Sequence, residues 1–105
     1  MSGGVLGLLG LGLRAGHVVI GVDGVRRSIQ SGQVRCVVFA SDASPRAVEK
    51  VMRLAQAQGV PLVQGPTADE MGRQLGRPPV MVVGVRDRAL AVGLGRLARE
   101  VPEEE

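Results

Sequence analysis

The stretch GVDGVRRSIQSG, residues 21–32, holds the residue types best able to do chemistry in this chain. It reads as a short helix opened by Gly21 and stopped by Gly32. The first N–H groups of a helix have no partner within it, and with the helix dipole they attract anions, phosphate above all. Gly21 and Gly24 remove side-chain bulk at that end, so another backbone can come close. Asp23 can accept hydrogen bonds from the N–H groups of a base edge, and Arg26 and Arg27 can neutralise phosphates. The same residues also fit a plainer role, with Asp23 complementing the dipole and the arginines forming a solvated face.

Other combinations are poorer. His17 and Cys36 could form a nucleophile pair, but Cys36 lies in an apolar run where a thiol is usually inert filler. With one histidine and one cysteine there is no cluster of soft ligands for zinc and no internal disulfide. Gly10, Gly12 and Gly16 only approximate a dinucleotide fingerprint, and no strand precedes them. Asp42 and Asp87 each follow an apolar run, where open α/β sheets place functional groups; a small-molecule site there competes with roles as turn residue and helix cap. These observations predict no enzyme, no metal and no cofactor.

Charge suggests a polyanionic partner, although arginine richness also follows from genome composition or a hot habitat. The 105 residues carry 13 bases, of which twelve are arginine, against 10 acids. Four of those acids lie in the terminal EVPEEE, so the rest of the chain sets 13 bases against six acids. Nucleic acid is the simplest partner for such a body. The single phenylalanine, Phe39, with no tyrosine or tryptophan, excludes an aromatic platform for stacking single strands. Recognition would run through a helix end and loops. The apolar N-terminal stretch has no base before it, is broken by glycines and stops at Arg14, so it reads as a first helix burying Val5, Leu6, Leu9 and Leu13. No membrane partner is expected, and cysteine usage fits the cytoplasm.

The remaining elements alternate. HVVI (17–20) reads as an edge strand, and VRCVVFAS (34–41) as a strand covered on both faces. A helix follows with Ser44 as N-cap, Pro45 in its first turn and a stripe of Val48, Val51, Met52 and Ala55, ending at Gly59. VPLVQG (60–65) is a short strand, and TADEMGRQLG (67–76) a helix with Thr67 and Glu70 at capping-box spacing. PVMVVGV (79–85) is the next strand, and Asp87 caps a last helix carrying Leu90, Leu94 and Leu97. The pattern predicts one α/β domain over residues 1–99, with helices on both faces of the sheet and an acidic tail over 100–105.

The order of these motifs over residues 8–99 resembles the kink-turn RNA-binding ribosomal proteins of the large-subunit "L-seven-Ae" and "L-thirty-e" type, and within them the small YlxQ-like bacterial members. The resemblance rests on RAG after the first helix, Gly21 opening the second and SG closing it. VVFASDASP, GVPLV and EMGRQLG extend it. It implies a three-layer α/β/α sandwich with a mixed, four-stranded sheet, and a non-enzymatic role in binding kinked RNA, ribosomal or otherwise structured, with ribosomal proteins as a further class of partner. In that family a glycine, an Asn–Glu pair and a Lys start the second helix. Here Gly21 matches the glycine, Asp23 stands for Asn, Gly24 for Glu and Arg27 for Lys, so the Glu is lost. The second RNA-facing loop is GRPPV, which adds Arg77, Pro78 and Val80 to the expected site; Arg14 and His17 extend it from the end of the first helix. The competing expectation is a protein-interaction module of the same fold that has lost specific RNA binding.

Overall fold

Two apolar tetrapeptides build the centre of the molecule. In the computed structural model, which describes the backbone of residues 3–100 and side chains of 4–97, β2 (Cys36–Phe39) and β4 (Val82–Val85) pair antiparallel, Cys36 opposite Val85. Strand β1 (Val18–Ile20) joins the far side of β4 antiparallel, and β3 (Leu62–Gln64) joins β2 in parallel, giving the order β1-β4-β2-β3. Each strand is shorter than the apolar run that contains it, because the flanking residues turn into loops.

Side-chain alternation divides the core. Cys36, Val38, Val83 and Val85 face one way, against Leu9 of α1 (Gly3–Arg14), Met71 and Leu75 of α4 (Ala68–Leu75) and Leu94 of α5 (Arg88–Glu100). Val37 and Val82 face the other way, against Val25 and Ile29 of α2 (Val22–Gln30) and Val48, Val51 and Ala55 of α3 (Pro45–Ala57). The result is the expected α/β/α sandwich with a mixed four-stranded sheet. Helix α1 forms despite its glycines because they admit neighbours: a Cβ on Gly12 would sit 2.5 Å from Leu90 and 2.9 Å from Val18. The residues after Glu100, which make up most of the expected acidic tail, lie outside the described residues.

Direction along the sheet decides where the loops fall. Strands β1, β2 and β3 all run antiparallel to β4 or parallel to its antiparallel partner, so their C-terminal ends share one edge. Helices α2, α3 and α4 follow those strands and open on that edge, and β4 begins there. Helix α5, which follows β4, starts at the opposite edge.

Candidate nucleic-acid interface

Helix α2 starts at Gly21, whose φ of 99° and ψ of 155° lie in a region that only glycine occupies readily. Its N–H donates to the carbonyl of Val82, 3.0 Å, which ties the helix start to the first residue of β4. No atom lies within 4 Å of where a Cβ on Gly21 would stand, so backbone conformation, rather than crowding, calls for glycine. The helix has no side-chain cap, and its first backbone bond inside the helix comes from the Val25 N–H to the carbonyl of Gly21. The N–H groups of Val22, Asp23 and Gly24 therefore remain available.

The other wall comes from the loop between α4 and β4. A Cβ on Gly72 would lie 2.4 Å from the Pro78 carbonyl oxygen and 2.8 Å from that of Arg77, so glycine lets the loop lie directly on α4. The Arg77 N–H donates to the Gly72 carbonyl at 2.8 Å, and the Val80 N–H to that of Ala68 at 3.0 Å. Between this loop and the start of α2 runs an open cleft of about 370 Å³, bounded by Gly21, Val22, Arg77, Pro78, Pro79 and Met81. Val80 closes its floor, but its side chain is only 5% exposed and belongs to the core.

The expected site residues thus fall into groups. Gly21, Arg77, Pro78 and Val80 border one cleft, while Asp23, Gly24, Arg26 and Arg27 continue from its rim along α2. Asp23 is exposed and makes no side-chain hydrogen bond or ion pair among the described residues. Arg26 is half-buried, and its Nε is shut off from solvent without a protein partner. Gly24 turns towards β1, where a Cβ would stand 2.8 Å from Cγ1 of Val19. Arg14 and His17 do not join this group; they lie at the other end of β1, where the Arg86 N–H donates to the His17 carbonyl.

Arg46 was not singled out from sequence. It is exposed in the first turn of α3, on the same edge as the cleft, and cations are disfavoured there by the helix dipole. Acids at this edge are largely engaged. Glu70 completes a capping box with Thr67, Asp42 accepts the Ala68 N–H at 2.8 Å, and Asp69 pairs with Arg73 at 2.7 Å. Ser44 stands at the start of α3 as expected, yet its hydroxyl makes no capping hydrogen bond.

The alternative chemistries lose their geometry. Asp87 caps α5 through Leu90, 2.8 Å, at the edge opposite Asp42, so the two carboxylates cannot share a small-molecule site. Burial pushes the Cys36 thiol up to about 12, which leaves no thiolate at neutral pH.

The open edge of the sandwich thus joins an uncapped helix start to the loop that carries Arg77, as in a binding domain. The chain belongs to the ribosomal protein L7Ae/L30e/S12e/Gadd45 family, whose model matches residues 5–92. It is 33% identical over 84 residues to the RNA-binding protein YlxQ of Bacillus subtilis (strain 168), a match covering 80% of this chain and 84% of that protein. It is 29% identical over 75 residues to an RNA-binding protein of Geobacillus sp. (strain WCH70), covering 68% and 92%. A solved structure of a protein with unknown function from Bacillus halodurans C superposes with a TM-score of 0.85 at 30% identity, covering 90% of this chain and 96% of that one. The Giardia lamblia 15.5kD RNA binding protein shares the fold at a TM-score of 0.77 and 22% identity, covering 92% and 83%. The family and the YlxQ relative belong to a non-enzymatic, RNA-binding class. Among the described residues no helix is long and apolar enough to cross a membrane.

Proposed function

We propose that this protein binds structured RNA, ribosomal or another kinked RNA, in the cytoplasm, through the cleft between the start of α2 and the Arg77 loop. The observation that carries the reading is the pairing of unbonded α2 amides with Arg77 across one open cleft. The amides of Val22, Asp23 and Gly24 would receive a phosphate oxygen, and Arg27 and Arg77 would neutralise flanking phosphates. Asp23, without a protein partner, would accept an N–H from a base edge. The proline and methionine walls would cover the apolar face of a base.

Relatives named for RNA binding support this partner. Gly24 limits how the RNA is read, because it supplies no carboxylate where the resemblance places a base-reading Glu. Discrimination of a kink from a regular stem would then rest on Asp23, the amides and the shape of the cleft. Three to five phosphate contacts correspond to log–log salt slopes of about −2 to −4. Binding to a kink-turn RNA and to a plain hairpin, measured across salt, tests the proposal. The kink-turn should bind more tightly, and Arg27→Ala and Arg77→Ala should each lower affinity and flatten the slope. Equal affinity for both RNAs, untouched by either substitution, would remove the cleft from consideration.

A further inference from the structure

The edge of the sheet opposite the cleft is also basic, and more one-sidedly so. Val85 of β4 stands beside Val18 on one side and Cys36 on the other. Just beyond these pairs His17, Arg86 and Arg35 lie at the same edge of the sheet. The Arg86 N–H donates to the His17 carbonyl at 2.7 Å and the Arg35 N–H to the Val85 carbonyl at 2.7 Å, which holds the row together. Like charges gathered at one edge of a sheet cost stability. Arg14, at the end of α1, and Arg88, at the start of α5, flank the row.

Arg14 complements the dipole at the end of α1, but Arg35, Arg86 and Arg88 have no such role in the fold. Arg14, Arg35, Arg86 and Arg88 are exposed, and none forms an ion pair among the described residues. Arg88 opposes the dipole of the helix it begins. The nearby acid is Asp87, whose Oδ2 accepts the Leu90 N–H and whose Oδ1 lies 3.7 Å from His17 Nδ1. The cleft edge sets Arg26, Arg27, Arg46 and Arg77 against Asp23, Asp42 and Glu70, also without an ion pair among them. Much of the excess positive charge of the chain thus sits away from the cleft.

We propose that this row is a second polyanion-binding face, which takes the phosphate backbone of an RNA segment other than the one in the cleft. Arginine forks match phosphate oxygens, and a row of them spaced across strands is suited to successive phosphates without reading sequence. The two faces lie at opposite edges of the sheet, so an RNA end seated at the cleft leaves the row facing away from it. The protein then joins two RNA segments. This goes beyond the cleft reading and stands without it, since a duplex can bind the row even if no kinked RNA enters the cleft.

The test uses the full chain, a plain RNA duplex and a kink-turn RNA. Binding of the duplex is measured across salt for the wild type, for Arg35→Gln/Arg86→Gln and for Arg27→Gln/Arg77→Gln. Each lost phosphate contact removes about 0.7–0.9 from the log–log slope. Between about 50 and 200 mM salt the wild type should therefore lose about tenfold more affinity than the Arg35/Arg86 variant. With donor-labelled kink-turn RNA bound, acceptor-labelled duplex should join the wild-type complex and fail to join that variant. Thermal unfolding of the variant at or above the wild-type midpoint confirms that the fold is intact. Unchanged duplex affinity and slope in the Arg35/Arg86 variant overturn the proposal. So does selective loss of binding to polyglutamate with RNA binding intact, which would assign the face to an acidic protein. Loss of duplex binding only in the Arg27/Arg77 variant would overturn the second face; loss only in the Arg35/Arg86 variant is the expected result, and the cleft is judged separately by the kink-turn RNA.

Discussion

At the scale of single residues, Gly24 and Val19 compete for the same space. A helix gains about 1 kcal/mol when an interior glycine becomes alanine, but a Cβ at position 24 would lie 2.8 Å from the Val19 methyl. Valine is stiff at χ1 and cannot swing aside cheaply. Gly24→Ala is therefore expected to give no stabilisation alone, and to stabilise once Val19→Ala has made room. A double-mutant cycle by denaturant unfolding should show coupling above about 0.5 kcal/mol. Any attempt to restore a carboxylate at position 24 meets the same obstacle. Cys36 yields a second expectation, this one in pH. Its folded pKa, about 12, lies above the reference value of 9.0, so between these values the folded state holds a proton that the unfolded state releases. Stability from this group is full below about 9 and declines as pH rises towards 12, by at most about 1.4 kcal/mol per pH unit. The chain has no tyrosine and one lysine, so little else titrates in this window. Melting midpoints should fall across it in the wild type and much less in Cys36→Val. Below that window the native thiol should resist a disulfide reagent until the protein unfolds.

At the scale of elements, the loop that walls the cleft is set by the helix before it. Gly76 ends α4 with a φ of 69°, and Gly72 one turn earlier leaves the gap in which the Arg77 and Pro78 carbonyls lie. Gly72→Ala forces backbone against a methyl group, where no rotamer change can help. It should cost about 1–3 kcal/mol as overpacking, and should move Arg77 enough to lower affinity for kink-turn RNA by more than the fraction unfolded explains. Chemical denaturation and RNA titration on the same sample separate the two effects. This dependence was only half legible in the sequence. An isolated glycine in a helix with a capping box suggests a packing reason, but the partner carbonyls follow it at short range through a turn that composition does not specify. The apolar runs, the capping box of Thr67 and Glu70 and the stops at Gly32 and Gly59 were legible because each is a local pattern. Ser44 shows the limit of such patterns: the right residue at the right place makes no cap bond, while Asp42 reaches from another loop to the Ala68 N–H and adds a bond to α4 that no local pattern predicts.

At the scale of the whole molecule, strand direction decides what the charges mean. Alternating strands and helices predict layers, but they do not tell which strands run the same way. Sequence order placed Arg14 and His17 within a few residues of Gly21 and suggested one surface. The length of β1 puts them at the opposite edge from Gly21, and the antiparallel return of β4 brings Arg86 to His17 instead. Like charges gathered at one edge repel by at most about 1 kcal/mol per pair in water, and salt weakens this as the screening length shrinks from about 30 Å at 0.01 M to about 8 Å at 0.15 M. The exposed pairs Arg53–Glu49 and Arg73–Asp69 respond in the opposite direction, each by a few tenths of a kcal/mol. Because those pairs are common to both proteins, a comparison cancels them. Arg35→Gln/Arg86→Gln should melt above the wild type at about 0.01 M salt, and the gap should narrow as salt reaches about 0.15 M. A plain RNA duplex added at low salt should raise the wild-type midpoint more than that of the variant, since a ligand of the native state stabilises it by mass action. If the variant melts below the wild type at every salt, Arg35 and Arg86 serve the fold, and the excess charge at this edge has a structural cause.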